Sequence, residues 1–387
     1  MEMEKEVNRI RFLSEEEKSE TIWACRFCMM CHVADRVTHV MKRESYSPRG
    51  RSAILAAIEK GFLDWDAAVG DIMFTTLNDG LLREWCVGNY DHEELIIDAR
   101  SKVLDRGVAP EDITQYMKNM RATGGRSIDP RRLLEEANVR LSPGAKVLLF
   151  AGCTARESEQ STIITMGRIF NQAKVEFQVL AEEPCCGWPL YQVGDMSGAR
   201  EFSIRVAEEI RNSGAATVAT LDADCYRMLL TRTARFGGDL KGVKVLHVSQ
   251  IAAEWIKEGR IRIENKLADR VTYHDPCSMA RYCEDTDSAR YVLAAVLEHG
   301  VAEMESNRKL SQCCGAGGML HIHRPDVSQA VALLRIEDGL STGASVMATG
   351  CTRCDQTLKN ALALSGGKEI RVMNLMTLLG RSIGLDV

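Results

Sequence analysis

The chain has 387 residues, more than one ordinary hydrophobic core supports, so two or three domains are expected. Its 45% hydrophobic and 27% charged residues match a soluble globular protein, and no apolar run is long enough to span a bilayer. A formal net charge of −5 argues against a nucleic-acid partner, which calls for a basic face.

The N-terminal stretch MEMEKEVNRIRFLSEEEKSE is charged and lacks the apolar centre of a secretory signal. A cytoplasmic location is expected, with a membrane reached only peripherally through a partner. Fourteen cysteines in a reducing compartment point to metal ligation and away from disulfides.

Residues 1–125 read as a mostly helical domain, with helix-compatible runs at 50–61 and 91–106. Near its start Cys25, Cys28 and Cys31 form the C-x2-C-x2-C core of a bacterial ferredoxin motif. In a two-cluster ferredoxin the fourth cysteine of each motif crosses to the other cluster. Here the fourth position of the first motif is Asp35. Cys86 reads as the fourth position of a second motif, whose other three positions carry Thr76, Asp79 and Leu82. The surviving Cys25, Cys28, Cys31 and Cys86 are thus a complete ligand set for one [4Fe–4S] cubane, while the other set is lost. Zinc on the same thiolates is the bland alternative, although paired CxxC knuckles suit zinc better. Ser47-Pro48-Arg49-Gly50-Arg51 reads by itself as a turn before a helix.

The glycine- and proline-bearing segment Arg121–Gly144 reads as a linker with one short helix, and the boundary is drawn at 126–145. Beyond it, the short apolar runs KVLLF, VEFQVL, ATVATL, VKVLHV, VTYHD and ASVMAT alternate with helical patterns, which indicates βαβ units and a parallel sheet. This part also repeats itself. Cys153 answers Cys277, Cys185-Cys186-Gly187 answers Cys313-Cys314-Gly315, and Asp222-x-x-Cys225 answers Cys351-x-x-Cys354. The architecture expected is α+β and multidomain: a helical ferredoxin-like domain, then two pseudo-symmetric α/β domains at 146–265 and 266–387.

Five thiolates in the second copy, Cys277, Cys313, Cys314, Cys351 and Cys354, exceed what zinc or a cubane needs. The glycines of Gly315-Ala-Gly-Gly318 let backbone N–H groups approach sulfur. The first copy offers Cys153, Cys185, Cys186 and Cys225, with Asp222 in the place of Cys351. Three readings stay open there: a modified cluster with Asp222 as ligand, a cubane on four cysteines, or zinc. Asp222 as a plain helix cap is the bland alternative.

At these residues the chain resembles the CCG (cysteine-rich) domain. Its whole layout, CxxCxxC, then SPRGR, then two CCG repeats, is similar to the family of the heterodisulfide reductase D subunit, which includes the iron–sulfur subunits of glycolate oxidase and anaerobic glycerol-3-phosphate dehydrogenase. The resemblance implies a noncubane [4Fe–4S] cluster at the five cysteines of the second copy. It also implies partner redox subunits, among them a flavin-containing or quinone-linked one. The function expected is an electron-transfer subunit that relays electrons between the cubane and the CCG clusters. Reduction of a disulfide or thiol-linked substrate at the five-cysteine cluster is the alternative. Catalytic residues are not assignable from the sequence.

Several residues invite a role and are better read as structural. Cys283 lies outside every motif and reads as a buried free thiol. His321 and His323 read as surface histidines on an extended segment. His274 and Asp275 precede Cys277 in a turn, Trp188 is core or a water shield, and Met29 and Met30 pack around the first cluster.

Overall fold

The computed structural model describes residues 13–125, 127–366 and 369–387. Most of the charged N-terminal stretch, and residue 126 where the linker was expected to begin, lie outside the described residues. The chain forms two compact units, one of residues 1–122, 188–199 and 312–335, the other of 123–187, 200–311 and 336–387.

The first unit is helical among its described residues. Ser14 and Glu17 close a capping box at the helix Glu15–Cys25, where each side chain bonds the other's backbone N–H. The Ser-Pro-Arg-Gly-Arg stretch starts the helix Pro48–Glu59. Ser47 Oγ accepts from Gly50 N, and Pro48 takes the first turn, where its missing N–H costs nothing. A Cβ at Gly50 would stand 1.9 Å from the Glu44 carbonyl, so no other residue fits there. Arg51 is buried, donating to Thr75 O at 2.7 Å and facing Asp35 at 3.6 Å. The helix His92–Asp105 carries Arg100, also buried, which donates to Met73 O, Gln192 O and Gly318 O. These guanidiniums satisfy carbonyls that would otherwise be buried without donors. The expected helical runs at 50–61 and 91–106 correspond to these two helices.

All the strands among the described residues lie in the second unit. β1 (Val147–Phe150), β2 (Phe177–Gln178), β3 (Thr217–Thr220) and β4 (Lys244–His247) form one parallel sheet in the order β2-β1-β3-β4. β5 (Val271–His274), β6 (Val346–Thr349) and β7 (Arg371–Asn374) form a second parallel sheet in the order β5-β6-β7. The two sheets correspond in sequence order, with β1, β3 and β4 answering β5, β6 and β7. An isolated parallel bridge between Val271 and Val301 stands where a counterpart of β2 would lie. Every apolar run read as a strand forms one; β7 escaped the sequence reading because Arg-Val-Met-Asn is short and half polar.

The repeats share one core. Leu149, Phe170, Phe177 and Trp255 of the first copy and Val271, Leu293, Val346 and Leu379 of the second belong to a single buried cluster. Phe170 stacks on Phe177 at 4.7 Å and meets Trp255 edge-on at 5.0 Å. Burying each such side chain contributes on the order of 1.5–3 kcal/mol. The parallel strands end where cysteines follow them, which places the thiols at the carboxyl edges of the sheets.

Candidate functional site: three groups of cysteines

None of the fourteen cysteines is in a disulfide. In the first unit, Cys25 ends the helix Glu15–Cys25, Cys28 follows in a turn, and Cys31 sits in a short 3-10 turn, Met30–Ala34. Cys86 follows the short helix Leu81–Glu84. The Cys25 thiol is pushed up to about 12, first by burial and then by Cys86, Cys31 and Cys28. Cys31 is likewise pushed up to about 12, by burial, then Asp35, Cys86 and Cys28. Cys86, distant in sequence, is therefore an electrostatic neighbour of the CxxCxxC thiols. Such mutual repulsion is relieved when a cationic centre takes the thiolates. Phe27, Met29, Met30, Val33 and Val87 are exposed around them. Met29 and Met30 are each more than half exposed.

The first-copy thiols are in the second unit and more deeply held. Cys153 opens the helix Cys153–Ser158 after β1, and Cys225 lies in the helix Ala223–Arg227 after β3. Cys185 and Cys186 are buried between β2 and Gly187, whose φ of +92° turns the chain back. Cys153 is held well above the ordinary thiol range by its bond to Cys185 and then by burial. In Cys225 the bond to Cys186 pulls the other way, and burial and Asp222 outweigh it. The four sulfurs therefore form a connected set, with Cys185, Cys186 and Cys225 buried and Cys153 half-buried. Gly152 at φ +81° brings the chain past Cys225, and a Cβ there would stand 3.2 Å from the Cys225 sulfur.

Glu183 fixes this approach, and nothing in its sequence context announces it. It is fully buried, and its two oxygens accept from Ala151 N and Gly152 N at 2.8 Å each. Arg156 lies 3.4 Å away, itself buried. Burial holds the Glu183 carboxyl above the ordinary carboxylate range, opposed by Arg156 and the two backbone donors.

Asp222 is an N-cap twice over. Oδ1 accepts from Asp224 N at 3.0 Å and Cys225 N at 3.2 Å, capping its own helix. Oδ2 accepts from the Thr352 hydroxyl at 2.6 Å and Arg353 N at 3.2 Å, at the start of the helix Thr352–Leu364. The N-cap of that helix is Cys351, which supplies no side-chain cap of its own. The Cys351 thiol lies 3.4 Å from Oδ2.

Of the second-copy cysteines, Cys277, Cys351 and Cys354 belong to the second unit, and Cys313 and Cys314 to the first. Cys351 is pushed up to about 12: its bond to Cys354 lowers it, and burial and then Asp222 outweigh that. In the first unit, Gly315 N donates to the Cys313 sulfur at 3.4 Å. Gly315 has φ +104°, and a Cβ there would strike Ser328 O at 2.4 Å.

The remaining candidates resolve on contact. Asp275 pairs with Arg290 at 2.6 Å and accepts from Arg308 N, a buried brace. Cys283 is half-buried, its thiol pushed up to about 12 by burial. Trp188 packs in the core against Tyr191 at 5.5 Å. The histidines differ from expectation. The segment Leu320–His323 is a helical turn, not extended, and His323 is held between Asp71 at 3.0 Å and Asp112 at 3.1 Å. No helix among the described residues is long and apolar enough to cross a membrane.

The cysteine-rich domain family, CCG, matches residues 147–230 and 271–359. The chain is 30% identical over 254 residues to the D subunit of dihydromethanophenazine:CoB–CoM heterodisulfide reductase from Methanosarcina acetivorans, covering 65% of this chain and 62% of that one. It is 26% identical over 287 residues to the B subunit of fumarate reductase (CoM/CoB) from Methanothermobacter marburgensis, covering 74% of this chain and 56% of that one. The chain thus spans about three fifths of the length of these curated relatives. Among solved structures, a hypothetical protein from Helicobacter pylori shares the fold at a TM-score of 0.58 and 10% identity, over 88% of this chain and 68% of that one. The chain thus carries two cysteine-rich CCG domains and is similar to the D subunit of heterodisulfide reductase.

Proposed function

We propose that the chain is the iron–sulfur electron-transfer subunit of a larger oxidoreductase complex. One observation carries this reading: two sets of four thiols are each gathered into a single electrostatic group, one at Cys25, Cys28, Cys31 and Cys86, the other at Cys153, Cys185, Cys186 and Cys225. These donors fit iron–sulfur clusters by their chemistry, since soft thiolates suit iron in such clusters. A cubane on the first set, in a ferredoxin-like helical domain, would supply a one-electron centre. The exposed Phe27, Met29, Met30, Val33 and Val87 around it offer an apolar face where a partner can bring its own centre close. A flavin-containing redox subunit is the partner proposed.

In the first CCG site the four cysteines suffice as ligands. Asp222 holds the helix ends that carry Cys225 and Cys354, since both its oxygens already accept hydrogen bonds. The five second-copy cysteines would hold the noncubane [4Fe–4S] cluster. Gly315 N, already directed at Cys313 sulfur, would help set its potential.

The test is iron, sulfide and zinc analysis of the full chain purified without oxygen, with spectra of the reduced protein. Cys86→Ser should remove about four irons, one cubane's worth. Zinc in place of iron would overturn the redox reading. The similarity to the heterodisulfide reductase D subunit favours a second reading, reduction of a disulfide substrate by this chain itself. Turnover of a mixed disulfide by the isolated chain with a reduced dye distinguishes the two.

A further inference from the structure

A hollow of about 140 Å³ opens in the first unit, lined from the helices Glu15–Cys25, Pro48–Glu59 and His92–Asp105. Its apolar lining is Ile22, Leu55, Leu95 and Ala99, all buried, with the half-buried Ile58 and Trp65. No cysteine is among its described lining, so none of the three thiol groups accounts for it. Its charged rim sums to zero: Glu15, Glu59 and Asp98 stand against Lys18, Lys102 and Arg106. Lys18 bridges Glu15 and Asp98, Lys102 pairs with Asp98 at 2.9 Å, and Arg106 lies over the Trp65 ring at 5.3 Å. An apolar cavity of roughly 150 Å³ takes up one benzene ring, so the hollow has room for one aromatic side chain.

Such a side chain stands exposed in the turn that joins two parts of this lining, Ile58 and Glu59 on one side and Trp65 on the other. There the helix Pro48–Glu59 ends in a Schellman motif. Phe62 N donates to Ala57 O at 2.8 Å and Gly61 N to Ile58 O at 3.0 Å, with Gly61 at φ +70°. An apolar residue in the place of Phe62 commonly folds back on its own helix. Here Phe62 is 81% exposed, and Leu63 beside it 46%. The two hydrogen bonds fix the backbone at Phe62, so its ring is presented outward and little order is lost when it docks. Ring and hollow match in size and chemistry, and they adjoin.

We propose that the hollow is a self-association site, filled by the Phe62 ring of a second copy of this chain. A surface on which projecting ring and receiving hollow adjoin pairs about a two-fold axis, each Phe62 entering the other's hollow, and the contact closes at two copies. The rim suits this occupant. Two chains of net charge −5 repel one another, and a rim that sums to zero lets them meet without adding like charge at the contact. Acids and bases interspersed on that rim find opposite charges across the axis. Burial of two Phe62 rings against the apolar linings supplies the driving force. The site needs no metal, so it stands or falls apart from the cluster assignments.

The experiment is sedimentation velocity of the full chain, kept reduced so that no disulfide joins copies. The parent should pass from monomer to dimer as its concentration rises. Phe62→Ser changes an exposed side chain, leaves the core intact, and should weaken pairing by more than about a hundredfold, since two rings lose their burial. Ala99→Met fills the hollow from within and should also weaken it. An equimolar mixture of the two variants should pair again, less tightly than the parent, because one intact ring then meets one intact hollow. A dimer that Phe62→Ser leaves unchanged would overturn the site, as would a mixture no better paired than either variant alone. If Ala99→Met does not fold, Phe62→Ser decides by itself. A parent that stays monomeric at every soluble concentration would also overturn the pairing, and uptake of indole by that monomer would assign the hollow to a small aromatic molecule instead.

Discussion

The Asp222 carboxylate and the Thr352 hydroxyl meet at 2.6 Å, so a residue of the first repeat caps the helix that carries Cys354 of the second. The exchange follows from the repeat itself. Asp222 occupies the place of Cys351, and a cysteine is a weak acceptor that cannot serve as a good N-cap. One aspartate does the capping for both copies and leaves Cys351 free to present its sulfur.

Replacing Asp222 by Ala removes caps from two helices at once. We expect a loss of about 2–4 kcal/mol in unfolding free energy, because each cap is worth about 1 kcal/mol and the bonds are charge-assisted. Thr352→Val should cost less, about 1–2 kcal/mol, since it removes one of those bonds. Iron content should survive in both. Chemical denaturation with parallel iron analysis checks this, and loss of one cluster in Asp222→Ala alone would make Asp222 a ligand.

Glu183→Gln tests the brace behind Cys153. The amide offers one acceptor oxygen where the carboxylate used two, so one of Ala151 N and Gly152 N loses its partner. Arg156 also loses its charge partner. A destabilisation of about 2–4 kcal/mol follows. In the metal-free protein, Cys153 should alkylate faster than in the parent, which a timed labelling experiment followed by mass spectrometry would show. Unchanged labelling would mean that Glu183 stabilises the fold without positioning the thiol.

Much of this site could be read from the cysteines because their spacing is a chemical requirement visible in one dimension. Cys86 joined Cys25, Cys28 and Cys31 by counting ferredoxin positions, and the structure puts the four thiols in electrostatic reach of one another. The strands were legible for a similar reason: strands buried on both faces, such as Val147–Phe150 and Val346–Thr349, read as continuous apolar runs. Glu183, Arg51 and the Asp222–Thr352 bond were not legible. Their partners lie well apart in the chain, from 24 positions for Arg51 and Thr75 to 130 for Asp222 and Thr352, and no local pattern marks a partner at such a distance. His323 misled because two neighbouring polar residues look exposed until Asp71 and Asp112 close on one of them.

Gly152→Ala asks how tightly the first site is built. The residue has φ +81°, so alanine brings strain of about 1–2 kcal/mol, and its methyl would stand 3.2 Å from Cys225 sulfur. Iron at this site should fall, while Cys283→Ser, outside every group, should leave iron unchanged. Iron and sulfide counts on the two variants decide both points.

The last prediction concerns pH. His247 caps the helix Val248–Lys257 through Nδ1, as Asn374 caps the corresponding helix of the second repeat. Burial lowers its pKa from 6.5 to about 4. A base with a depressed folded pKa binds fewer protons folded than unfolded across that interval, so stability is whole above about pH 6.5 and falls as pH drops towards 4. The loss at pH 4 is roughly 3 kcal/mol for this one group. His247→Asn copies the partner repeat, keeps an N-cap and removes the titration. Unfolding curves of the metal-free chain should therefore coincide near neutral pH, apart from a small constant offset, and diverge below about pH 6, with the variant the more acid-resistant. Parallel curves down to about pH 4 would show that His247 accepts its proton without leaving the fold.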